Sequence, residues 1–417
     1  MSRMSDEGSR RAPLAAPVAT PATGPGGGQP EASEAIGVFG YFFRLGFVNI
    51  GGPVAQLAMM YDHFVERARW ISRERFVRIM GVCHILPGPE ALQLAIYVGY
   101  LTRGLRGGLV AGIMFIAPGA VLITILAALY ATYGSVPLVT DALYVLKPAV
   151  LGIIIAGLLR IGRAAITTWT LALIAAAAVL AMRVGDIDVI IALLAAGTAA
   201  LLADRRQRGP ALTGIIVGPL LSVPSFPSIG AIAPAVLSLA GWLDVAWVFL
   251  RTGLFSFGGA YGSIALLTQG AVVEHGWLTS AQLLDGVALS VATPGPFMLF
   301  ATWAGYLIAG VPGAALATVL VFLPSFVFVL AGVRQLEAIR ERPAVRRFLA
   351  GVSAGVVAVI LLVSADLAPA ALPDPPAVAI AAGAFALIVF AKRDVALVSL
   401  AAMAAGIARA LVRAAIG

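Results

Sequence analysis

Leu86 to Ala95 reads LPGPEALQLA, with apolar sequence on both sides. Proline lacks an amide proton and ends helices, and glycine weakens them. A carboxylate at the centre of a bilayer costs about 2.5–3.5 kcal/mol even on the gentlest scales. A Pro-Gly-Pro-Glu run in such a place is a site, provided the surrounding sequence really is membrane sequence.

The composition says that it is. The 417 residues are 60% hydrophobic and 12% charged, about half the charged fraction of a soluble domain. Mean hydropathy is +0.98. Runs such as Gly108 to Tyr130 and Ile187 to Ala203 approach the roughly 20 residues that cross a bilayer as a helix. They are rich in Ala and Leu and do not alternate, so the expectation is an all-α polytopic membrane protein, not a barrel. The net charge of +8 comes mostly from arginines in short loops between apolar runs. That is the pattern of cytoplasmic loops and not of a nucleic-acid groove. Cys83 is the one cysteine, so no internal disulfide or cysteine-based metal cluster forms. His63, His84 and His275 are scattered and read as packed or interfacial side chains, His84 standing nearest the broken segment. Residues 1–34 are rich in Pro, Gly, Ala and Ser without an apolar core run. They read as a disordered cytoplasmic tail, not a signal peptide.

The chain also repeats itself. FRLGFVNIGGPVAQLAMM (Phe43 to Met60) returns as LRTGLFSFGGAYGSIALL (Leu250 to Leu267). The offset is 207 (258 less 51), and it carries Trp70 onto Trp277 and Pro87-Gly88-Pro89 onto Pro294-Gly295-Pro296. After one deletion it is 206: Gly99-Tyr100 meets Gly305-Tyr306, Gly107 meets Gly313 and Pro118 meets Pro324. Two homologous halves of six apolar segments follow, 35–203 and 244–417, with 204–243 between them as a proline-rich linker. The first two segments of each half carry the breaks, Gly-Gly and Pro-Gly-Pro.

Lysine and arginine orient such loops. The loop after the first segment holds Arg67, Arg69, Arg73, Arg75 and Arg78, whereas its partner, 271–281, holds no Lys or Arg. The loop 133–141 holds none, whereas its partner holds Arg334, Arg340, Arg342, Arg346 and Arg347. The bias changes sign between the halves. That predicts inverted repeats, with 204–243 supplying one extra crossing. Two readings of the broken segments stay open: both dip in and return at their breaks, or both span fully and an amphipathic surface helix joins them.

Irregular backbone at membrane depth is tolerated only inside protein or beside a water-filled cavity. A half-helix N-terminus presents free amides and partial positive charge, and so suits an anion. Gly51-Gly52 allows a bend, and Pro53 and Pro89 then fit the first position of a new helix. Gly258-Gly259 and Pro294-Gly295-Pro296 repeat the arrangement, so four half-helix N-termini are expected to converge. Arg44 and Arg251, seven residues before each Gly-Gly pair, would add guanidinium forks that match a tetrahedral oxyanion. Snorkelling to an interface is the plain alternative for each. Asn49, Gln56, Ser256 and Thr293 add hydrogen-bonding groups at the breaks. Substrate-binding candidates are thus Arg44, Asn49, Gly51, Gly52, Pro53, Gln56, Pro87, Gly88, Pro89, Arg251, Ser256, Gly258, Gly259, Thr293, Pro294, Gly295 and Pro296. Glu90 has no acidic counterpart, Phe297 standing in its place. It is either a helix cap or a proton-coupling carboxylate. Lys147 and Asp141 read as snorkelling side chains near a helix end. No nucleotide loop, HExxH, metal-ligand cluster or nucleophile elbow is present. No enzyme activity, metal or cofactor is expected.

FVNIGGPVAQLAMM, LPGPEALQLAIYVGYLTRGLRGG, FSFGGAYGSIALL and ATPGPFMLFATWAGYLIAGVPG resemble the conserved signatures of the chromate ion transporter family, long-chain two-domain type. The resemblance covers most of residues 36–412. It implies an inner-membrane secondary carrier that exports chromate, driven by protons or the membrane potential and conferring chromate resistance. Ala260 departs from the pattern, standing where the first half has Pro53, and implies weaker binding at that break. The residues alone reach a small-oxyanion carrier in a lipid bilayer, with no nucleic-acid partner. A sulfate carrier, in which sulfate competes with chromate as a near-isosteric dianion, and a passive anion channel remain rivals. Monomer and homodimer stay open.

Overall fold

A computed structural model describes residues 32–50, 53–83, 86–203, 238–257, 260–340 and 342–416. These residues form fourteen α-helices. In the first half they are α1 (Ala32–Val48), α2 (Pro53–Tyr61), α3 (Arg73–Cys83), α4 (Glu90–Tyr133), α5 (Pro137–Ala165), α6 (Trp169–Val184) and α7 (Val189–Ala203). In the second they are α8 (Leu239–Leu254), α9 (Ala260–Leu267), α10 (Ser280–Ala292), α11 (Phe300–Arg340), α12 (Pro343–Ala371), α13 (Pro375–Val389) and α14 (Val395–Ile416). Five of them are long and apolar enough to cross a membrane. α8 begins within the stretch read as linker, because Ser238 caps it by accepting the Gly241 amide at 3.2 Å. The remainder of the linker, 204–237, with its expected crossing, and tail residues 1–31 lie outside the described residues.

The breaks reverse the chain. The Tyr41 hydroxyl donates to the Met59 carbonyl at 2.9 Å, across 18 residues. A continuous helix would hold those residues about 27 Å apart. In the second half Arg251 pairs with Glu274, 23 residues on. At the second kind of break, the Trp303 indole donates to the Gln282 carbonyl at 3.1 Å, across 21 residues. With α3 packed on α4 in the remaining segment, each broken segment folds back as a helical hairpin, the arrangement that the returning reading expects. Two short π-helical turns, Asp62–Arg67 and Thr268–Glu274, close the returning arms of the first hairpin in each half.

A second reversal lies inside α4 and α11. Arg103 and Gly104 leave helical geometry, Gly104 at φ +59°, and Ala309 and Gly310 do the same, Gly310 at φ +61°. Gly99 then packs directly on Gly107, and Gly305 on Gly313. Eight residues of straight helix would separate each pair by about 12 Å. A glycine is needed at 104 and 310 because the turn requires positive φ.

The halves are inverted and interlocked. Gly108 meets Leu330 and Gly112 meets Phe326, so the equivalent long arms of α4 and α11 run antiparallel along the centre. Around them α5 packs on α13 and α14 of the other half, and α12 packs on α6 and α7. Neither half has a separate core. One apolar cluster runs from Phe42 through Phe115, Ile154 and Phe249 to Trp303 and Ile360, while Phe47, Val121, Ile125, Val319 and Val327 face outward, as a lipid-facing belt requires.

Candidate substrate site

The four hairpin tips meet in two pairs, each joining one half to the other. The Gly295 amide donates to the Asn49 side-chain oxygen at 2.5 Å, and the Gln56 amide donates to the Gly295 carbonyl at 3.0 Å. Symmetrically, the Gly88 amide donates to the Ser256 carbonyl at 3.2 Å. Gly88 and Gly295 have φ of +116° and +120°, which only glycine adopts without strain. Gly88 lies against Ser325 on α11, and Gly295 lies 3.1 Å from Gly119 on α4, measured from where a Cβ would sit. The Gln93 side chain closes the first Pro-Gly-Pro turn by donating to the Pro87 carbonyl at 2.8 Å.

Several buried polar atoms near the tips have no hydrogen-bond partner among the described residues: Asn49 Nδ2, Ser290 Oγ, Gln93 Oε1 and Ser325 Oγ. A buried group left unpaired costs about 1–3 kcal/mol. Ordered water or a bound ligand would satisfy such atoms.

A cavity of about 650 Å³ opens beside the Asn49–Gly295 pair. Its inner end is lined by Tyr261, Ser290, Thr293, Gly295 and Phe297, and its outer part by Arg160, Arg163, Lys392, Arg393 and Asp394. Arg160, Arg163, Lys392 and Arg393 are exposed. At the positions the repeat makes equivalent, 206 residues away, stand Asp366, Pro369, Asp186 and Ile187. Cations thus surround the mouth on one face, and acidic or neutral residues hold the matching places on the other. Arg183 there is engaged with Asp366 at 3.4 Å.

The sequence candidates divide. Asn49, Gln56, Pro87, Gly88, Pro89, Ser256, Gly295 and Pro296 are buried at the tips, and Thr293 and Pro294 are half-buried there. Pro53 begins α2 as expected. Pro89 does not begin a helix: at φ −76° and ψ 112° it is the extended residue before α4, which starts at Glu90. Gly51, Gly52, Gly258, Gly259 and His84 lie outside the described residues. The two arginines do not converge on the tips. Arg44 is exposed on α1, and Arg251 is buried with its charge met by Glu274. The packing differs because Glu274 on the returning arm has Arg67 at its place in the first half. Glu90 is half-buried in the first turn of α4. Ala260 begins α9 without a proline, and the cavity opens on this second half's Pro-Gly-Pro tip, not the first's.

Lys147 and Asp141 do not snorkel. Lys147 pairs with Asp285 at 2.9 Å, and Asp141 is buried against Arg413 at 2.8 Å and Arg409 at 3.3 Å. Partners on distant segments hold them inside the bundle. Sequence reading missed Tyr261 and Ser290 and gave the mouth cations only a topological role. The sign change between Arg160 and Asp366 in the repeat alignment was the available signal.

The chromate transporter family model matches twice, over residues 36–201 and 243–407. The chain belongs to the chromate transporter family. This is a family of membrane transporters and not of enzymes, and the transporter is a multi-pass membrane protein. It is 34% identical to a chromate transport protein of Pseudomonas aeruginosa over 84% of this chain and 85% of that one. A probable chromate transport protein of Synechococcus elongatus is 29% identical over 77% and 81%. A chromate transport protein of Cupriavidus metallidurans is 28% identical over 85% and 87%. No solved structure matches the transporter.

Proposed function

We propose that this transporter exports chromate from the cytoplasm across the inner membrane, driven by the proton gradient or the membrane potential. The observation that carries the reading is the cavity: a cationic mouth leading to the unpartnered Ser290 Oγ and to Gly295, which Asn49 holds, at a pair of hairpin tips. A dianion is drawn to Arg160, Arg163, Lys392 and Arg393, which outnumber Asp394 at the mouth, since a cleft of predominantly one sign of charge focuses its field. At the tips it exchanges water for fixed donors. The names of the relatives supply chromate as the oxyanion.

Direction rests on charge. The basic mouth belongs with the arginine-rich loops, which the positive-inside rule assigns to the cytoplasm together with the N-terminal tail. The equivalent positions on the other face carry Asp186 and Asp366, which favour release of an anion. The interlocked halves and paired tips suit alternating exposure of one central site. Glu90 stands in the first turn of α4, where a carboxylate meets the positive end of the helix dipole, a place that suits a cap.

Inside-out vesicles test the reading. Chromate should accumulate above its outside concentration when a proton gradient or potential is imposed, and sulfate should compete. Equilibration without accumulation would mean a passive channel. Accumulation of sulfate unaffected by chromate would move the substrate assignment.

A further inference from the structure

Asp285 is the most buried carboxylate among the described residues, and the export reading gives its pair with Lys147 no part. It lies on α10, the arm that leads into the Pro-Gly-Pro tip at the cavity's inner end, and its side chain is 3% exposed. Lys147 Nζ on α5 stands 2.9 Å from Oδ1, with 21% exposure, and the Tyr130 hydroxyl on α4 donates to Oδ2 at 2.8 Å. Lys147 and Tyr130 are the charged and titratable groups that act on it. Neutral groups come from two further elements: Trp303 of α11, which packs on Gly286 and on the Tyr130 ring, and Ser399 of α14, which donates to Val291 at 3.4 Å; α12 and the turn ending at Glu274 also pack on α10, and none of their charges acts on Asp285.

The place of this pair is informative. α5 also forms the cavity wall, from Ile153 to Arg163. Lys147 precedes Arg160 by thirteen positions, about 20 Å of helix, so the pair lies on the side of the cavity away from its basic mouth. Asp285 precedes Ser290 by five positions, about 7.5 Å, so it sits just beyond the cavity's inner end. The pair therefore ties the tip-bearing arm to the cavity wall where a path to the opposite face would have to open. The architecture does not demand it. The repeat counterparts of Asp285, Lys147 and Tyr130 are Arg78, Ser353 and Leu336. A buried ion pair adds little net stability over apolar residues of similar size, and ionisable groups at membrane depth mark ion or proton paths.

We propose that Asp285 and Lys147 form a proton-operated latch that couples oxyanion export to proton entry. A proton arriving from the far face adds to Asp285 and cancels its charge. The Lys147 ammonium is then freed to face the passing dianion. The α10 arm separates from α5, the path beyond the inner end opens, and the anion leaves. Loss of the proton toward the cytoplasmic cavity restores the pair. Each cycle exchanges one proton inward for one anion outward. This rests on the export reading above and names its coupling group.

The test uses the full-length protein in proteoliposomes, with chromate flux measured at clamped zero membrane potential, with and without a pH gradient. Wild type should be stimulated by the gradient. Asp285→Asn should lose the stimulation while retaining chromate flux, and Asp285→Glu should recover it. Asp285→Asn leaves Lys147 buried without its partner and could misfold, so the double variant Lys147→Met/Asp285→Leu accompanies it. It replaces the pair by apolar groups and should melt close to wild type yet show no stimulation. Gradient stimulation that survives in the double variant, at the wild-type ratio, would overturn the latch. Wild-type chromate flux indifferent to the gradient would also overturn it while leaving chromate transport standing. Absence of chromate flux from wild type would instead refute the export reading beneath it.

Discussion

The amide of Gly295 donates to the side-chain oxygen of Asn49 at 2.5 Å across 246 residues of chain. That bond leaves Asn49 Nδ2 buried and unpartnered, one hydrogen bond from Gly295, which lines the inner end of the cation-mouthed cavity. One side chain thus has two separable tasks. Asn49→Asp keeps the acceptor and replaces the donor with a negative charge. It should fold, and should raise the KM for chromate by on the order of tenfold or more, the loss of a hydrogen bond to a charged group being worth about 1.5–3 kcal/mol. Asn49→Ala should also lower stability, read as a fall in melting temperature in detergent. An unchanged KM in Asn49→Asp would remove Asn49 from the site.

The tip glycines should tolerate nothing larger. Gly88→Ala and Gly295→Ala each place a Cβ on a backbone at φ near +120°, a strain of order 1–3 kcal/mol. The added carbon would also press on Ser325 or Leu299. Both variants should lose most transport. Gly40, which has open space around it, is the control: Gly40→Ala should be near wild type in the same flux assay.

Charge reversal at the mouth should act through encounter. Arg160→Glu combined with Lys392→Glu should raise KM several-fold, leave kcat nearly unchanged and flatten the salt dependence of flux. Exposed charges act over a Debye length of about 8 Å at physiological ionic strength. A fall in kcat with KM unchanged would place these residues in the transport step instead.

The two matched arginines should behave differently. Arg251 is buried with Glu274 as partner, whereas Arg44 is exposed. Arg251→Ala should destabilise by about 1–3 kcal/mol, with partial recovery in the double variant carrying Glu274→Gln. Arg44→Ala should shift stability by no more than about 0.5 kcal/mol. Thermal melting of the purified variants in detergent measures both.

Inversion of the halves is open to a cross-link. In a Cys83→Ser background, Gly112→Cys with Phe326→Cys should be bridged by a short bifunctional thiol reagent, because the Phe326 ring reaches Gly112. Gly112→Cys with Thr318→Cys should not, since the antiparallel register adds about 12 Å along the helices. The opposite pattern on a non-reducing gel would mean parallel halves.

Much of the architecture was legible because membrane sequence obeys few rules. Apolar runs of bilayer length gave the helices, shared glycines and prolines gave the two halves, and the opposite arginine bias of matched loops predicted the inversion that Gly108–Leu330 and Gly112–Phe326 display. The turns at Gly104 and Gly310 were legible as boundaries between apolar segments, the first marked by Arg103 and Arg106; the positive φ that makes each turn so tight was not.

The site was legible by composition and not by partnership. Repeat alignment pairs Asn49 with Ser256 and Gly88 with Gly295. The fold joins Asn49 to Gly295 and Ser256 to Gly88. A sequence fixes which backbone groups a proline or glycine leaves unsatisfied, because those are local covalent properties. Which distant groups satisfy them depends on how the inverted halves interlock. Arg44 and Arg251 make the same point: identical residues at identical repeat positions, one exposed and one buried, because the place that holds Glu274 on the second returning arm holds Arg67 on the first. By itself the sequence of this chromate-family transporter determined its membrane helices, its duplication and its breaks. Tertiary structure alone decided that the breaks are hairpin tips meeting across the halves, that the mouth cations surround a single cavity, and that Lys147 and Asp285, 138 positions apart (285 less 147), form one buried pair. Those outcomes rest on contacts between segments far apart in the chain, which no local pattern encodes.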